Sequence, residues 1–451
     1  MAARAVGLGS AAFESISIDS RELGPQALFV AIRGDRFDGH DFVGAALENG
    51  AAAALVSAEK AAGLPQERLI VVHDALEGLR DLARAARARS SAKIVAVTGS
   101  AGKTTTKEAI RTVLSAAGAT HASIKSFNNH WGVPLMLARL PREAEFAAFE
   151  IGMNHAGEIT PLVQLVRPQA VVITTVAAAH LEFFDSVAGI ARAKAEIFAG
   201  LEPGGVAILN IDHDQVPVLL EEAERAGVRR IVRYGMAQDA DWRIVAAEPV
   251  DGGMTATVEH AGRRIDFSMA VEGRHMVANG VAALAVAAEF GVPEAVAVEA
   301  LGRFAAPEGR GATLRLGPAD KPLLLIDQSY NANSASMTAA LDVFGRTAAP
   351  DGRKVLVLGD MLELGAAGPD LHAGLKGAVE AAKPDRIYLV GTNMAHLATA
   401  LGSTVTGHAA VIGDIKDAIL SGLAYGDAVM IKGSKGVQLA GLVHKIRERF
   451  G

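Results

Sequence analysis

Short apolar runs alternate with amphipathic stretches along most of the chain. Strands buried inside parallel sheets are nearly continuous apolar runs, whereas amphipathic helices place apolar residues three or four positions apart. Apolar runs that predict strands cover residues 27–32, 51–56, 68–72, 93–99, 146–152, 170–176, 205–210, 229–235, 323–329, 354–360, 386–391 and 428–433. Helical patterns cover residues 74–89, 334–345, 370–380 and 436–449, the first with an arginine-rich outer face. The alternation indicates parallel sheets that are covered by helices on both faces.

The chain of 451 residues is long enough for two to four domains, and breaks in the pattern indicate three. Residues 242–271 alternate around a glycine turn, which predicts a hairpin. Proline and glycine are dense at residues 305–311, which predicts a hinge. We therefore predict an α/β fold with an N-terminal α/β domain (1–90), a central parallel-sheet domain (91–308) and a C-terminal Rossmann-like domain (309–451).

Composition removes several classes of function. Lysine and arginine total 44 against 50 aspartates and glutamates, a net charge of −6, so no nucleic-acid partner is expected. Cysteine is absent, which excludes disulfides and thiolate metal sites. No apolar run reaches the roughly 18–20 residues of a membrane span, and the N-terminus lacks the long apolar core of a secretory signal. A cytoplasmic protein without a membrane span is the simplest expectation.

The sharpest chemical signal is the junction KIVAVTGSAGKTTTKEAI at residues 93–110. Glycines in a strand-to-helix turn let successive N–H groups face phosphate oxygens, while the lysine reaches the terminal phosphates and the next hydroxyl binds Mg²⁺. The predicted nucleotide contacts are Gly99, Ser100, Ala101, Gly102, Lys103, Thr104 and Thr105. Val97 occupies the first glycine position of the GxxxxGK[ST] pattern, and a glycine-rich turn that binds nothing is the alternative.

Three later residues carry weak signals when each is taken alone. Glu150 closes a predicted strand, where it is either a solvated strand end or a carboxylate that meets the phosphate loop. His180 follows another strand, and an ordinary polar loop residue is its plain interpretation. Lys194 lies on a predicted helix, where a surface lysine is the plain interpretation. Their order and surroundings give them more weight together than separately.

Several long segments, taken in order, resemble one enzyme family. The first domain contains IDSRELGPQALFVAIRGDRFDGHDFVGAALENGAAAALV, and the central domain contains TGSAGKTTTKE, SFNNHWGVPLMLARL, EIGMNHAGEI and AAAHLEFFDSVAGIARAKAEIF. The third domain contains DQSYNANSASM, VLGDMLELG and IKGSKG. These segments resemble the Mur ligases, the ATP-dependent amide-forming enzymes of peptidoglycan precursor synthesis. NNHWGVPL, GMNHAGEI and GDMLELG most resemble the branch that adds D-alanyl-D-alanine.

The resemblance implies a reaction and its participants. It implies a first domain that binds the uridine nucleotide, an ATP site between the second and third domains, and Mg²⁺. The substrates would be UDP-N-acetylmuramoyl-tripeptide and D-alanyl-D-alanine, joined through an acyl phosphate by a monomeric enzyme. Phosphorylation replaces the poor oxide leaving group of a carboxylate by a better one, which an amine can then displace.

The resemblance also gives roles to single residues. Lys103, Glu150, His180 and Lys194 would serve catalysis. Thr104, Glu150 and His180 match metal ligands, and Lys194 matches the lysine that is carbamylated in this family, which would present an oxygen anion to Mg²⁺. The implied nucleotide contacts are Asn279, Arg310, Asp327 and Asn331. Met276 stands where the family often has asparagine, which puts a polar contact from that position in doubt.

The remaining candidates concern the two other substrates. Arginines bind diphosphates bidentately, and turn residues after strands often face ligands. The predicted substrate contacts are Ser20, Arg21, Arg33 and Arg36 for the nucleotide, Asn128, Asn129 and His130 for its peptide arm, and Tyr330, Asn333, Lys432, Ser434 and Lys435 beyond strands of the third domain, the last three for the dipeptide carboxylate. The alternatives are solvated arginines, turn-capping asparagines and a helix N-cap at IKGSKG.

Three other functions remain open from the sequence. The ligase of the same family that adds the third amino acid, diaminopimelate or lysine, shares the first domain and the phosphate loop, but NNHWGVPL and GDMLELG favour the dipeptide-adding branch. A nucleotide-binding homologue that has lost catalysis is disfavoured, because the residues that catalysis would need are intact: Lys103, Thr104, Glu150, His180 and Lys194. A folylpolyglutamate synthetase-like enzyme shares the ATP core but lacks this first domain. The sequence does not identify the third residue of the acceptor peptide.

Overall fold

The apolar runs of the sequence form three β-sheets. In the computed structural model, residues 4–6, 12–34, 37–66, 68–124 and 126–451 are described. The predicted substrate contact Arg36 lies outside the described residues. The α/β fold of three sheet-containing domains is confirmed. The residue limits of the domains stay predictions. Each of the three sheets lies within one of the predicted domains.

The first sheet has the strand order β1-β5-β4-β3-β2, with β1 antiparallel and the other strands parallel. Its strands are β1 (Arg4–Val6), β2 (Ser15–Ser17), β3 (Ala27–Val30), β4 (Ala53–Ser57) and β5 (Leu69–Val72). Its helices are α1 (Val43–Glu48), α2 (Ala58–Ala61) and α3 (Ala75–Arg89), with a 3-10 helix at Gly39–Phe42. Asp74 caps α3 by accepting a hydrogen bond from the N–H of Glu77.

The central sheet has nine strands in the order β14-β13-β12-β11-β10-β9-β6-β8-β7. Its parallel strands are β6 (Lys93–Thr98), β7 (Thr120–Ala122), β8 (Phe146–Glu150), β9 (Ala170–Ile173), β10 (Val206–Asn210) and β11 (Arg230–Gly235). β12 (Trp242–Val250), β13 (Gly253–His260) and β14 (Arg263–Met269) continue it, with β13 antiparallel to both neighbours. The predicted hairpin is therefore one turn of a three-stranded extension.

Helices cover both faces of the central sheet, because its strands are apolar on both sides. They are α4 (Lys103–Ser115), α5 (Gly132–Ala138), α6 (Ile159–Val166), α7 (Val187–Ala195), α8 (Val216–Arg225), α9 (Arg274–Glu289) and α10 (Glu294–Gly302), with 3-10 helices at Leu181–Phe183 and Glu196–Gly200. One apolar cluster includes Leu135 and Val163, and a second, across the sheet, includes Ile110 and Val281.

The third sheet has the order β15-β16-β20-β17-β18-β19, with β15 antiparallel. Its strands are β15 (Ala312–Leu316), β16 (Leu323–Gln328), β17 (Lys354–Gly359), β18 (Arg386–Val390), β19 (Gly407–Ala409) and β20 (Ala428–Lys432). Its helices are α11 (Ser334–Arg346), α12 (Gly368–Ala373), α13 (Lys376–Ala382), α14 (Met394–Leu401), α15 (Lys416–Gly422) and α16 (Ala440–Phe450). Shorter 3-10 helices lie at Gly365–Ala367, Gly402–Thr404, Ile412–Asp414 and Lys435–Val437. The helix predicted at 370–380 is thus two helices.

Helix α3 joins the first domain to the second through a shared apolar core. Leu79 and Ala83 of α3 belong to the same buried cluster as Leu135 and Leu162 of the central domain. Arg87, predicted on an outer face, is instead 8% exposed. It donates through Nε to the carbonyl of Val166 and through Nη2 to that of Arg167, each over 2.8 Å. Its guanidinium therefore satisfies carbonyls at the C-terminal end of α6.

Among the described residues, no helix combines the length and the apolar character that a membrane crossing requires.

The role of Arg87 in this interface gives a stability prediction. Arg87→Ala leaves the buried carbonyl of Val166 and the partly buried carbonyl of Arg167 without this donor and should lower the free energy of unfolding by about 1.5–3 kcal/mol. Arg84→Ala is the matched control, since Arg84 lies on the same helix and forms only exposed ion pairs. Thermal unfolding of the two variants checks this. Equal midpoints would contradict the role of Arg87.

Candidate active site

The phosphate loop lies between the end of β6 and the start of α4. Gly99 has φ +150° and Gly102 has φ +86°, a region of backbone conformation that favours glycine. A Cβ on Gly99 would lie 1.8 Å from Oγ1 of Thr174, and one on Gly102 would lie 2.8 Å from Oδ1 of Asn279. The loop is therefore enclosed by its neighbours and needs glycine at both positions.

Lys103 and Thr104 begin α4 and face opposite parts of the loop. Nζ of Lys103 donates to the carbonyl of Gly99 over 2.6 Å. Oγ1 of Thr104 donates to Oε2 of Glu150 over 2.6 Å. Burial lowers the pKa of Lys103, and Glu150 partly offsets this effect. The structure thus brings the lysine, the hydroxyl and the carboxylate to one place, as the sequence pattern predicts.

Glu150 reaches this place because β8 is the neighbour of β6 in the parallel sheet. Its side chain is almost fully buried. Its second oxygen, Oε1, accepts a hydrogen bond from Nδ2 of Asn128 over 2.7 Å. The alternative of a solvated strand end is therefore wrong for Glu150, because both oxygens of this buried carboxylate have donors.

Lys194 is also buried, contrary to the alternative of a surface lysine. Its side chain is 1% exposed, and its Nζ makes no hydrogen bond or ion pair within the described part of the chain. Burial, and then the positive charge of Lys103, hold the pKa of Lys194 well below its usual value. A buried lysine without a partner favours the neutral amine.

The third domain approaches the phosphate loop through polar contacts. Nδ2 of Asn333 donates to the carbonyl of Ser100 over 3.1 Å, while its Oδ1 caps α11. Nη2 of Arg310 lies 3.3 Å from Oγ of Ser126, and the guanidinium lies 4.1 Å from the ring centre of Tyr330. These contacts place the third domain directly over the loop.

A second cationic group lies on the third-domain side. Lys432 is 3% exposed, and its Nζ donates to the carbonyl of Asn331 over 3.0 Å. Burial, assisted by Arg310, lowers the pKa of Lys432 to about 7. Burial and Lys432 also lower the pKa of His275 to about 4. The hydroxyl of buried Ser434 accepts a hydrogen bond from the N–H of Leu362, and this contact helps to hold the third-domain segment that contains Leu362.

These groups surround a cavity of about 590 Å³ between the central and third domains. The predicted site residues that line it are Ser100, Ala101, Gly102, Lys103, Thr105, Asn128, Glu150, His180, Asn279, Arg310, Tyr330, Asn331, Asn333, Lys432, Ser434 and Lys435. Gly99, Thr104 and Lys194 do not line this cavity. One cavity therefore brings together most of the predicted residues of these two domains.

Other predicted residues lie outside the cavity lining. The carboxylate of Asp327 accepts hydrogen bonds from the N–H groups of Gly309 and Ser329, so it fixes the linker to the third domain. Oδ1 of Asn129 accepts the N–H of Gly132 at the start of α5, the capping role that was the alternative. His130 is exposed. Contact roles for these residues stay predictions.

The first-domain candidates also lie outside the lining. Arg21 is largely exposed and forms an ion pair with Asp19 over 2.7 Å. Arg33 is exposed and pairs through its backbone with Asp38. Ser20 is partly buried, and its carbonyl lies 3.5 Å from Nδ2 of Asn49. Their roles in nucleotide binding stay predictions.

Several lining residues were not singled out from the sequence, among them Ser126, His275, Gln328 and Glu363. Glu363 could have been singled out from the sequence, since it belongs to the GDMLELG segment. In the structure it forms a hydrogen bond with Nδ1 of His180. That contact with His180 lowers the pKa of Glu363. Ser126 and Gln328 also belong to the quoted segments SFNNHWGVPLMLARL and DQSYNANSASM, and the fold brings them together with His275 at the cavity.

A phosphate loop with a facing carboxylate, closed by a second α/β domain, defines a nucleotide-binding protein of the group-transfer type. Sequence comparison gives the family. The Mur ligase family catalytic domain matches residues 12–87, the Mur ligase middle domain matches 97–287, and the Mur ligase glutamate ligase domain matches 315–435.

Similar proteins cover nearly the whole chain. The UDP-N-acetylmuramoyl-tripeptide–D-alanyl-D-alanine ligase of Escherichia coli is 36% identical over 96% of this chain and 94% of its own. The structure of MurF from Acinetobacter baumannii is 30% identical, with a TM-score of 0.83 over 97% of this chain and 94% of its own. MurF of Thermotoga maritima in complex with ADP, 24% identical, shares the fold with a TM-score of 0.81 over 98% of this chain and 99% of its own. The chain belongs to the Mur ligase family.

The enclosed phosphate loop leads to a prediction about nucleotide binding. Gly102→Ala should weaken the binding of a fluorescent ATP analogue at least about tenfold, or 1.4 kcal/mol, because the new Cβ displaces Asn279 and strains the loop. Gly157→Ala is a matched control with φ +87° and open space around its Cβ. Similar affinity losses in both variants would show that backbone strain alone, and not contact with Asn279, is responsible.

Proposed function

We propose that the chain joins D-alanyl-D-alanine to UDP-N-acetylmuramoyl-tripeptide in an ATP-dependent reaction of peptidoglycan precursor synthesis. The observation that carries this is the cavity in which the phosphate loop, Glu150 and the cationic groups of the third domain meet. The full-length similarity to ligases of this name supports the choice of substrates. The enzyme acts in the cytoplasm as a monomer.

The loop geometry supports ATP as the phosphoryl donor. Gly99 and Gly102 leave a cradle that a Cβ would fill, and Lys103 stands at its edge. The N-terminus of α4 begins at the same point, and helix N-termini favour phosphate. We assign the nucleotide to this loop, with Asn279, Arg310 and Asn331 as further contacts. The Asn279 amide already holds α4 through a hydrogen bond with Thr106 over 3.0 Å.

The donor set fits Mg²⁺ as the metal. Among the described residues, no three His, Asp or Glu side chains are grouped closely enough to hold an ion by themselves. Mg²⁺ commonly uses one or two protein oxygens together with substrate phosphates and water, and Thr104 and Glu150 supply such oxygens 2.6 Å apart. With His180, they would hold the ion, which would neutralise phosphate charge when bound.

Lys194 contributes an oxygen ligand if it is carbamylated. Burial lowers the pKa of its partnerless amine, so the nucleophilic neutral form is more accessible than in an exposed lysine. The nitrogen attacks the carbon of CO₂ and loses one proton, which leaves a carbamate anion. This change converts a buried amine, whose positive form is disfavoured by burial and by Lys103, into an anion that the metal would attract.

The protein side chains then position and shield the reaction. The substrate carboxylate takes the terminal phosphoryl group of ATP, and the dipeptide amine displaces phosphate from the acyl phosphate to form the amide. Lys103 provides positive charge beside the transferred group, where scarce water makes that charge effective. Lys432 and Lys435 offer cations to the dipeptide carboxylate, and Tyr330 packs against Arg310. Closure by the third domain excludes water from the acyl phosphate.

Release of ADP tests this function against its rivals. With the UDP-tripeptide and ATP, D-alanyl-D-alanine should stimulate ADP release, whereas lysine or diaminopimelate should not. Lys103→Ala should lose at least about a hundredfold of this rate, since an electrostatic contact to the transition state is removed. A catalytically silent homologue would release no ADP with any amine. A ligase for the third amino acid would respond to the single amino acids and to the UDP-dipeptide.

The carbamate on Lys194 has a separate test. Lys194→Ala should nearly abolish turnover at saturating Mg²⁺ and ATP, while acetate should restore part of it by supplying an oxygen anion to the vacated space. Lys194→Glu should keep a little activity. Isotope-labelled bicarbonate should give a carbamate NMR signal in the wild type only. Near-normal turnover of Lys194→Ala would refute this role while leaving the phosphate loop assignment intact.

A further inference from the structure

One contact between the central and third domains falls outside the proposed chemistry. Nδ1 of His180 and Oε2 of Glu363 form a hydrogen bond across the domain boundary. Beside it, the N–H of Glu182 donates to the backbone carbonyl of Glu363 over 3.1 Å. The side chain and the backbone of Glu363 therefore both form hydrogen bonds with the segment that contains His180.

The backbone on both sides of this contact is strained. His180 has φ +59° and Glu363 has φ +63°, the left-handed region that residues with a Cβ rarely occupy. Such a conformation is unfavourable and persists only where surrounding structure maintains it. The two residues are in direct contact, so each helps to hold the other in this conformation.

Two buried side chains hold the backbone just before Glu363. The buried ring of His372 accepts the N–H of Met361 at Nε2 over 2.9 Å and faces the carbonyl of Gly368 with Nδ1. Oγ of Ser434 accepts the N–H of Leu362 over 3.0 Å. Although the Glu363 side chain is 42% exposed, its backbone is therefore held in place, so its carboxylate approaches His180 from a defined direction.

The hydrogen bond leaves one ring nitrogen of His180 available. Nε2 of His180 makes no hydrogen bond to the residues that the structure describes, and both His180 and Glu363 line the cavity. A histidine that binds a metal usually donates its other ring N–H to a carboxylate or carbonyl, which fixes the tautomer and the orientation of the ring. Glu363 stands where such a partner would be.

We propose that Glu363 is a positioning residue, which holds His180 for metal binding only when the third domain is closed over the phosphate loop. This inference rests on the proposed function, since it takes His180 as a metal contact. It makes the metal site a property of two domains: the central domain supplies the ligands, and the third domain orients one of them. Domain closure and metal binding then favour each other.

The test compares Glu363→Gln, Glu363→Asp and the control Glu380→Gln. Gln keeps the volume and backbone contacts of Glu363 but removes the charge, and Asp keeps the charge with a shorter reach. Glu380 lies on α13 of the same domain, where it is exposed beside Lys376. Electron paramagnetic resonance measures Mn²⁺ affinity in the presence of ADP, without turnover. Steady-state kinetics give kcat and the KM for the dipeptide.

We expect Glu363→Gln to bind Mn²⁺ roughly tenfold more weakly, within the range seen when metal-ligand partners are removed. Its kcat should fall similarly, its KM for the dipeptide should stay unchanged, and Glu363→Asp should be intermediate. Glu380→Gln should match the wild type. In a His180→Ala background, Glu363→Gln should have no further effect on Mn²⁺ affinity, because Glu363 acts through His180.

Two results would overturn the proposal: wild-type Mn²⁺ affinity in both Glu363 variants, or fully additive losses in the double variant. If Glu363→Gln does not fold, Glu363→Asp carries the comparison. Failure of the proposed function would be distinct, since it would show as wild-type protein that binds Mn²⁺ and ADP but releases no ADP in response to D-alanyl-D-alanine.

Discussion

Three lysine amines whose pKa values are lowered by burial lie in or beside the cavity, and the rest of the site depends on this concentration of basic groups. Burial lowers the pKa values of Lys103, Lys194 and Lys432, and Arg310 adds positive charge near two of them. Glu150 is the carboxylate at the phosphate loop. A buried charge without a partner is costly, so burial disfavours the protonated forms of these amines until anions arrive. Phosphates and substrate carboxylates supply the missing negative charge, and the site is therefore selective for anionic ligands.

The two domain boundaries differ in their physical character. The first domain shares an apolar core with the second through α3, and Arg87 fixes that contact from within. The third domain meets the central domain through polar contacts, such as Asn333 with Ser100 and Glu363 with His180, and Leu181 of the central domain also packs against the apolar core of the third. Polar interfaces of this kind permit relative motion, whereas a shared core resists it.

The features of the structure that could be predicted from the sequence are the local and repetitive ones. The strands and the phosphate loop follow from short-range patterns, and the loop places Lys103 and Thr104 correctly. Short edge strands such as β15 were missed because few apolar residues distinguish them from loops. The burial of Lys194 could not be predicted from the sequence, since a single lysine in a helix gives no periodic signal. The carboxylate of Asp327 holds Gly309, and the fold alone brings these two residues together.

The central claim is that the phosphate loop and the third domain form one binding site. Hydrogen–deuterium exchange with a non-hydrolysable ATP analogue tests it most directly, because amide protection reports on each segment separately. The account predicts that residues 99–106 and residues 328–336 gain protection together, at the same analogue concentration. Protection of residues 99–106 alone, with unchanged exchange in the third domain, would contradict it.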